Sequence, residues 1–160
     1  MSGHVVLQFV KGHGLSANLI SWFGGGPRFS HVDVVMPDGQ LLGSRWDKVG
    51  GKPPGVQIRP ASYVKGERLT RVKLPCTLVQ QRAFYEFLEA QIGKPYDSIG
   101  ILAFLFGRNW RETDSWFCSE LGSAALEEAG ILRPLAAMTN KITPSDLILV
   151  LSALVDVVVQ

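Results

Sequence analysis

The chain has 160 residues, 46% of them hydrophobic and 19% charged, which is typical of a compact globular domain and excludes a disordered chain. A formal net charge of +2, with scattered basic residues, excludes a charge-driven partner such as nucleic acid. No apolar run approaches the roughly 20 residues that span a bilayer, so we expect a single domain over residues 1–160 and no integral membrane segment.

The first residues lack the basic segment, apolar stretch and cleavage site of a secretory signal. We therefore expect a protein that is cytoplasmic as synthesised, so that a role in the cell wall would require a phage or secretion route for delivery. Residues 5–10 predict a short strand, and apolar residues at helical spacing predict a helix over 15–23. Residues 24–27, Gly-Gly-Gly-Pro, break that helix and are interpreted as a flexible connector near a cleft.

Residues 29–36 and 40–44 flank the turn sequence Pro37-Asp38-Gly39 and predict a β-hairpin. Alternation places His31 and Asp33 on one face and the apolar residues on the other, so we expect His31 on an open or polar face. A surface histidine on a half-exposed strand is the simpler explanation from this pattern alone.

The composition of the first part of residues 45–60 predicts a long loop. Residues 55–60 and 69–74 predict two further antiparallel strands. Residues 77–92 predict an amphipathic helix that Thr77 caps and the following glycine ends. The expected apolar stripe of this helix consists of Leu78, Phe84, Phe87, Leu88 and Ile92. Tyr96 lies just before the apolar run 99–106, which predicts a buried helix or a membrane-touching surface.

Cys118 stands where a polar loop turns into a helix, which Asp114 or Ser115 is expected to cap. Leu121, Ala125 and Leu126 supply the apolar side of that helix. Unpaired N–H groups and the positive end of the helix dipole favour the thiolate over the thiol, and the same groups could hold an oxyanion. The alternative is a buried cysteine that acts as a small core hydrophobe.

Gly130 is expected to end the cysteine helix, and the apolar runs 147–151 and 155–159 are interpreted as buried strands. Cys76 and Cys118 are expected to be free thiols. The histidines lie far apart in sequence and no Cys/His spacing of a zinc site is present, so we expect neither a metal nor a cofactor.

Several fragments then occur in a specific order. They are Phe29-Ser30-His31-Val32, Gly93-Lys94-Pro95-Tyr96-Asp97, Phe117-Cys118-Ser119-Glu120-Leu121, Ala129-Gly130 and Ile142-Thr143-Pro144-Ser145-Asp146-Leu147. Over nearly the whole chain, their order and spacing resemble the circularly permuted branch of the NlpC-type papain-like cysteine peptidases and amidases, which includes the YiiX-like proteins.

The resemblance implies a permuted papain-like α+β fold, in which an antiparallel β-sheet or barrel packs against helices that include the cysteine helix. It implies that Cys118 is the nucleophile, that His31 is the general base and that the Cys118 N–H forms part of the oxyanion hole. The family commonly has a glutamate on the strand after the histidine hairpin, where this chain has Ser44 as the nearest polar residue. Ser44 is therefore one candidate to orient His31 and Asp33 is the other, while Tyr96 is a candidate for lining the substrate cleft.

Three functions remain open at this point. The first is a cysteine hydrolase that cuts an amide bond, with peptidoglycan peptides as the substrate that the resemblance suggests. The second is a lipid or acyl-ester hydrolase or acyltransferase using the same residues, for which the run 99–106 and Trp22-Phe23 would supply an apolar site. The third is a non-catalytic interaction protein that retains a relic of the site. The oligomeric state is not indicated by the sequence.

Overall fold

A computed structural model of the protein describes residues 2–11, 29–64, 68–97, 115–134, 142–155 and 157–159. Within these ranges the chain is a mixed α+β structure in which three α-helices accompany one antiparallel sheet, which confirms the predicted class. The strands are β1 Ser2–Lys11, β2 His31–Val35, β3 Leu41–Arg45, β4 Gly55–Arg59, β5 Arg68–Thr77 and β6 Val157–Val159. The helices are α1 Leu78–Ala90, α2 Cys118–Glu128 and α3 Pro144–Ser152.

The sheet has the strand order β4-β3-β2-β1-β5-β6, so β1 lies in its interior and pairs with β2 and β5. Val5, Leu7 and Phe9 of β1 are fully buried because they belong to the hydrophobic core to which the helices also contribute. The strand is longer than predicted, since its polar first residues continue the backbone ladder from Ser2 opposite Thr77. Backbone pairing extends a strand beyond its apolar core without requiring apolar side chains.

The predicted hairpin of β2 and β3 is confirmed. The Met36 N–H donates to the Gln40 carbonyl at 2.8 Å, and Gly39 adopts a φ of 82°, which the turn requires and which glycine adopts without a steric penalty. His31 was expected on an open or polar face, and that face is polar but not open: His31 and Asp33 are only 8% and 2% exposed, and Asp33 contacts His31 and Tyr63. A short 3₁₀ turn over Ala61–Tyr63 brings a tyrosine against the two side chains.

Helix α1 begins as predicted, with Thr77 and Gln80 forming a reciprocal capping box. Gly93, with a φ of 90°, follows its end. The predicted apolar stripe is confirmed at Phe84 and Leu88, which are fully buried, but it is wrong at its two ends. Leu78 is 43% exposed and Ile92 is 41% exposed, because the first lies at the start of the helix and the second beyond its last residue.

Helix α2 carries the predicted apolar residues Leu121, Ala125 and Leu126 in the core, and Gly130 with a φ of 64° follows its end as expected. Its remaining sides are also covered, so the helix is buried almost all round. The buried residues are Cys118, Ser119, Glu120, Leu121, Gly122, Ser123, Ala125 and Leu126.

The predicted cap of α2 needs correction. Ser115 precedes the first helical residue by three positions, too early to reach the free N–H groups of the first turn, and its buried hydroxyl has no hydrogen-bond partner among the described residues. Asp114 lies outside the described residues. The Glu120 carboxylate instead reaches back and accepts a 3.4 Å hydrogen bond from the Phe117 N–H.

The predicted strand over 147–151 is wrong, because these residues belong to helix α3. Thr143 and Asp146 form a capping box with Pro144 in the first turn, and this start signal outweighs the apolar run that follows. Leu147 and Leu151 are fully buried whereas Leu149 is 70% exposed, which is a helical rather than an alternating pattern. The second predicted strand is confirmed in part as β6, which pairs with β5.

Three predicted features lie outside the described residues: the helix over 15–23, the glycine connector over 24–27 and the apolar run over 99–106. Among the described residues, no helix is both long and apolar enough to cross a membrane. Cys76 and Cys118 are both free thiols, the first partly exposed and the second buried.

Candidate functional site

Cys118 is the first residue of α2 and is only 3% exposed. Trp116, two residues earlier, is anchored by four hydrogen bonds that fix the entry into the helix. Its carbonyl accepts from Ser44 Oγ at 2.6 Å and from the Asp97 N–H at 3.2 Å, and its N–H and Nε1–H donate to Pro95 O at 3.1 Å and Gln91 Oε1 at 3.0 Å. The position of the thiol is therefore set by the sheet, by α1 and by the segment before residue 98.

His31 and Asp33 form a buried ion pair within β2. The Nε2 atom of His31 lies 2.8 Å from Oδ1 of Asp33, two residues along the same strand. Residues at i and i+2 of a strand point to the same side, which is why this pair needs no long-range contact to form. Cys118 lies close enough to the His31 ring to contribute to raising its pKa, so the structure brings the cysteine, the histidine and the aspartate together.

Ser44, the other candidate to orient His31, is placed differently. Its hydroxyl is fully buried and donates to the Trp116 carbonyl rather than to the imidazole. Of the two candidates, Asp33 is the one that contacts His31.

Tyr63 is a member of this cluster that the sequence did not indicate. Its hydroxyl donates to Oδ2 of Asp33 and lies 3.4 Å from Nε2 of His31. Tyr63 follows a proline-rich loop and carries no motif, so nothing in the sequence pattern connects it with residues 30 positions earlier. Only the 3₁₀ turn after β4 brings it to the site.

The carboxylate of Asp33 also depends on a glycine in the neighbouring strand. A Cβ atom on Gly43 of β3 would overlap Oδ1 of Asp33. Any side chain at position 43 would therefore displace the carboxylate from its place beside His31. The Gly43 carbonyl is in turn held by Nη1 of Arg59 at 3.0 Å.

Two arginines lie close to the cluster. Arg45 forms a two-pronged ion pair with Asp47, at 2.7 and 3.0 Å, and its guanidinium carbon lies 5.3 Å from the centre of the Tyr63 ring. Arg59 is almost completely buried and donates to backbone carbonyls, including Pro53 O at 3.0 Å. The first arginine stabilises the tyrosine ring by a cation–π contact, and the second ties the loop before β4 to the sheet.

The ion pair changes the protonation of both partners. Burial alone lowers the pKa of His31, but the charge and hydrogen bond of Asp33, helped by Cys118, outweigh it and raise that pKa to about 9. Burial opposes ionisation of Asp33, yet the His31 charge and the hydrogen bonds from His31 and Tyr63 lower its pKa overall. The imidazole is therefore charged at neutral pH and faces an ionised carboxylate.

Tyr96, the candidate for the substrate cleft, lies beside the loop that leads to Cys118. It forms an isolated bridge with Trp116, and its ring centre is 6.0 Å from that of Phe117. Burial raises the pKa of Tyr96, and the neighbouring Cys118 adds to the effect. The tyrosine is therefore near the thiol but only 8% exposed.

The described residues contain no group of three or more histidine, cysteine, aspartate or glutamate side chains placed to hold a metal ion. A comparison with models of protein families and with curated proteins found no match for this chain. The site is thus characterised by its geometry: a cysteine at a helix start beside a charged histidine that a buried carboxylate holds.

Proposed function

We propose that this protein is a cysteine hydrolase that cuts an amide bond through an acyl-enzyme on Cys118, and that its α+β structure is a permuted papain-like fold. The observation that carries the proposal is the arrangement of Cys118, at the start of α2, beside a His31 imidazole whose Nε2 is 2.8 Å from the Asp33 carboxylate. This is the nucleophile, base and orienting group that acyl transfer needs.

The two ring nitrogens of His31 have different partners in the proposed mechanism. Asp33 occupies Nε2, which leaves Nδ1 for the thiol proton of Cys118. A thiolate beside an imidazolium then attacks the amide carbonyl, and the imidazolium donates its proton to the departing amine. Water, deprotonated by the neutral imidazole, releases the acid. The Cys118 N–H at the helix start would stabilise the oxyanion in both steps.

Asp33 rather than Ser44 is proposed as the orienting residue. A carboxylate stabilises the imidazolium by charge as well as by a hydrogen bond, which a hydroxyl does not. Ser44 instead serves the nucleophile indirectly, because its hydroxyl holds the Trp116 carbonyl at 2.6 Å, two residues before Cys118.

Peptides, with peptidoglycan peptides first, are the proposed substrates, on the basis of the sequence resemblance. The acyl-ester alternative depends on the apolar runs 22–23 and 99–106, which lie outside the described residues, so no contact in the structure favours it. The relic alternative is distinguished from the hydrolase by the reactivity of Cys118, because breaking a buried ion pair such as that of His31 and Asp33 destabilises a protein whether or not its site is active.

The proposal is tested by thiol labelling, with Cys76 as the internal control. Iodoacetamide is applied at pH 6 and the labelled peptides are quantified by mass spectrometry. Burial raises the pKa of Cys76, so we expect Cys118 to react at least tenfold faster although it is the less exposed thiol. His31→Ala should remove the difference. Equally slow labelling of both cysteines would refute the catalytic proposal.

The substrate class is tested separately. Purified protein is incubated with muropeptides and with acyl lipids, and products are detected by mass spectrometry against a Cys118→Ala control. We expect a Cys118-dependent cleavage of an amide bond in the muropeptide pool. Cleavage of the acyl lipids alone would contradict the amide substrate and favour the acyl-ester alternative.

A further inference from the structure

The Asp33 carboxylate is held from two directions. Oδ1 contacts Nε2 of His31 at 2.8 Å, whereas Oδ2 accepts the hydroxyl proton of Tyr63. A carboxylate rotates about its Cβ–Cγ bond, and one hydrogen bond leaves that rotation free. Donors on both oxygens fix the plane of the group, so the direction of the His31 hydrogen bond depends on Tyr63 as well.

Tyr63 is itself fixed in place. Its N–H donates to the Pro60 carbonyl at 3.1 Å, and Gly50 lies so close that an added Cβ would be 3.2 Å from the Cβ of Tyr63. The guanidinium of Arg45 covers the ring at 5.3 Å from its centre. A phenol held at its backbone and on its ring face presents its hydroxyl in one position, which is what a positioning group requires.

The burial of Asp33 makes the second hydrogen bond important. The residue is 2% exposed, so an unpaired Oδ2 would have little access to water. A buried carboxylate oxygen without a donor is unfavourable, and the group relieves this by rotating or by taking up a proton. Either response weakens the interaction with His31.

We propose that Tyr63 is a positioning residue of the active site, whose hydroxyl locks the Asp33 carboxylate in the orientation that holds His31 ready for Cys118. The proposal rests on the proposed cysteine-hydrolase function. It extends the site by one residue from the turn Ala61–Tyr63, an element that the sequence pattern did not connect with the chemistry.

The first test compares Tyr63→Phe with the matched control Tyr85→Phe. Tyr85 of α1 is also partly buried and its hydroxyl donates to the Val35 carbonyl of β2 at 3.2 Å, so the control removes a tyrosine hydroxyl that contacts the same strand. We expect Tyr63→Phe to slow iodoacetamide labelling of Cys118 by about tenfold at pH 8, where a histidine of ordinary pKa is neutral, and Tyr85→Phe to leave it within twofold. Equal labelling rates in wild type and Tyr63→Phe would overturn the proposal.

The second test asks whether Tyr63 acts through Asp33. In an Asp33→Asn background, Tyr63→Phe should cause no further loss of labelling, because the group it positions is already gone. A full tenfold loss in that background would show that Tyr63 acts by another route and would overturn the proposal.

A third measurement does not depend on reactivity. The His31 ring is titrated by NMR in wild type and Tyr63→Phe, and we expect the pKa of His31 to fall from about 9 toward 6.5 in the variant. An unchanged or higher His31 pKa in Tyr63→Phe would contradict the positioning role. A tyrosine that only competed with His31 for the carboxylate would lower the His31 pKa in the wild type, so its removal would raise that pKa. If wild-type Cys118 labels no faster than Cys76, the proposed function fails, while this titration still decides the link between Tyr63 and His31.

Discussion

Replacing Asp33 with asparagine should remove a pH-dependent part of the stability of this protein. Asparagine keeps the size of the side chain but not the charge that raises the pKa of His31 to about 9 from its ordinary 6.5. At about 1.36 kcal/mol for each pKa unit, raising the pKa of His31 from 6.5 to about 9 corresponds to about 3 kcal/mol of unfolding free energy. Most of it should depend on Asp33, the largest of the influences that raise the histidine pKa.

The sign follows from the direction of the His31 shift. The folded protein holds the imidazole proton more tightly than the unfolded chain, so the contribution is fully present below pH 6.5. It decreases as the pH rises from 6.5 and is lost above about 9, where His31 is neutral in both states. The ion pair with Asp33 is therefore expected to stabilise the protein most on the acidic side of this window.

Urea unfolding at several pH values between 6 and 9.5 measures the effect. The free energy of unfolding of the wild type should fall by about 3 kcal/mol across this range, and that of Asp33→Asn by less than about 1 kcal/mol. The difference between the two proteins cancels the titration of other groups. Parallel pH profiles for wild type and Asp33→Asn would show that the carboxylate does not control the charge of His31 and would refute the reasoning.

Three further substitutions separate the roles of neighbouring residues. Gly43→Ala places a methyl group against the Asp33 carboxylate and should lower Cys118-dependent labelling at pH 6 to the level of Asp33→Asn, which matched labelling time courses would reveal. Ser44→Ala leaves the buried Trp116 carbonyl with one donor fewer and should lower the free energy of unfolding in urea by about 1–3 kcal/mol. The pKa of His31, measured by NMR, should not change. A large fall of that pKa would identify Ser44 as the orienting residue. Thr143→Ala removes a helix cap and should cost about 1 kcal/mol of thermal or urea stability while labelling stays at the wild-type rate.

Local patterns in the sequence were enough to predict much of the fold. The turn Pro37-Asp38-Gly39 located the hairpin, and Thr77 with Gly93 bracketed helix α1, because capping and turn formation depend on adjacent residues. The apolar run over 147–151 misled the prediction, since a run of this length suits a buried strand or a buried helix. The Thr143 capping box was the signal that decided for the helix.

The candidate site was predictable only where its members are close in sequence or belong to a motif. Asp33 could be proposed beside His31 because alternation places residues i and i+2 on one side of a strand. The choice between Asp33 and Ser44 required the three-dimensional structure, since both lie near His31 in a hairpin. Tyr63 could not be predicted, because its contact with the carboxylate depends on how the chain leaves β4 and enters the 3₁₀ turn.

The residues of the site come from two parts of the fold. His31, Asp33 and Tyr63 belong to the sheet and the turn that follows β4, whereas Cys118 belongs to the first turn of α2. Removing the thiol by Cys118→Ala therefore leaves every hydrogen bond among the other three in place. Such a protein would retain the binding surface and the oriented imidazole but form no acyl bond, which makes it a suitable form in which to capture an uncleaved substrate and learn its chemical identity.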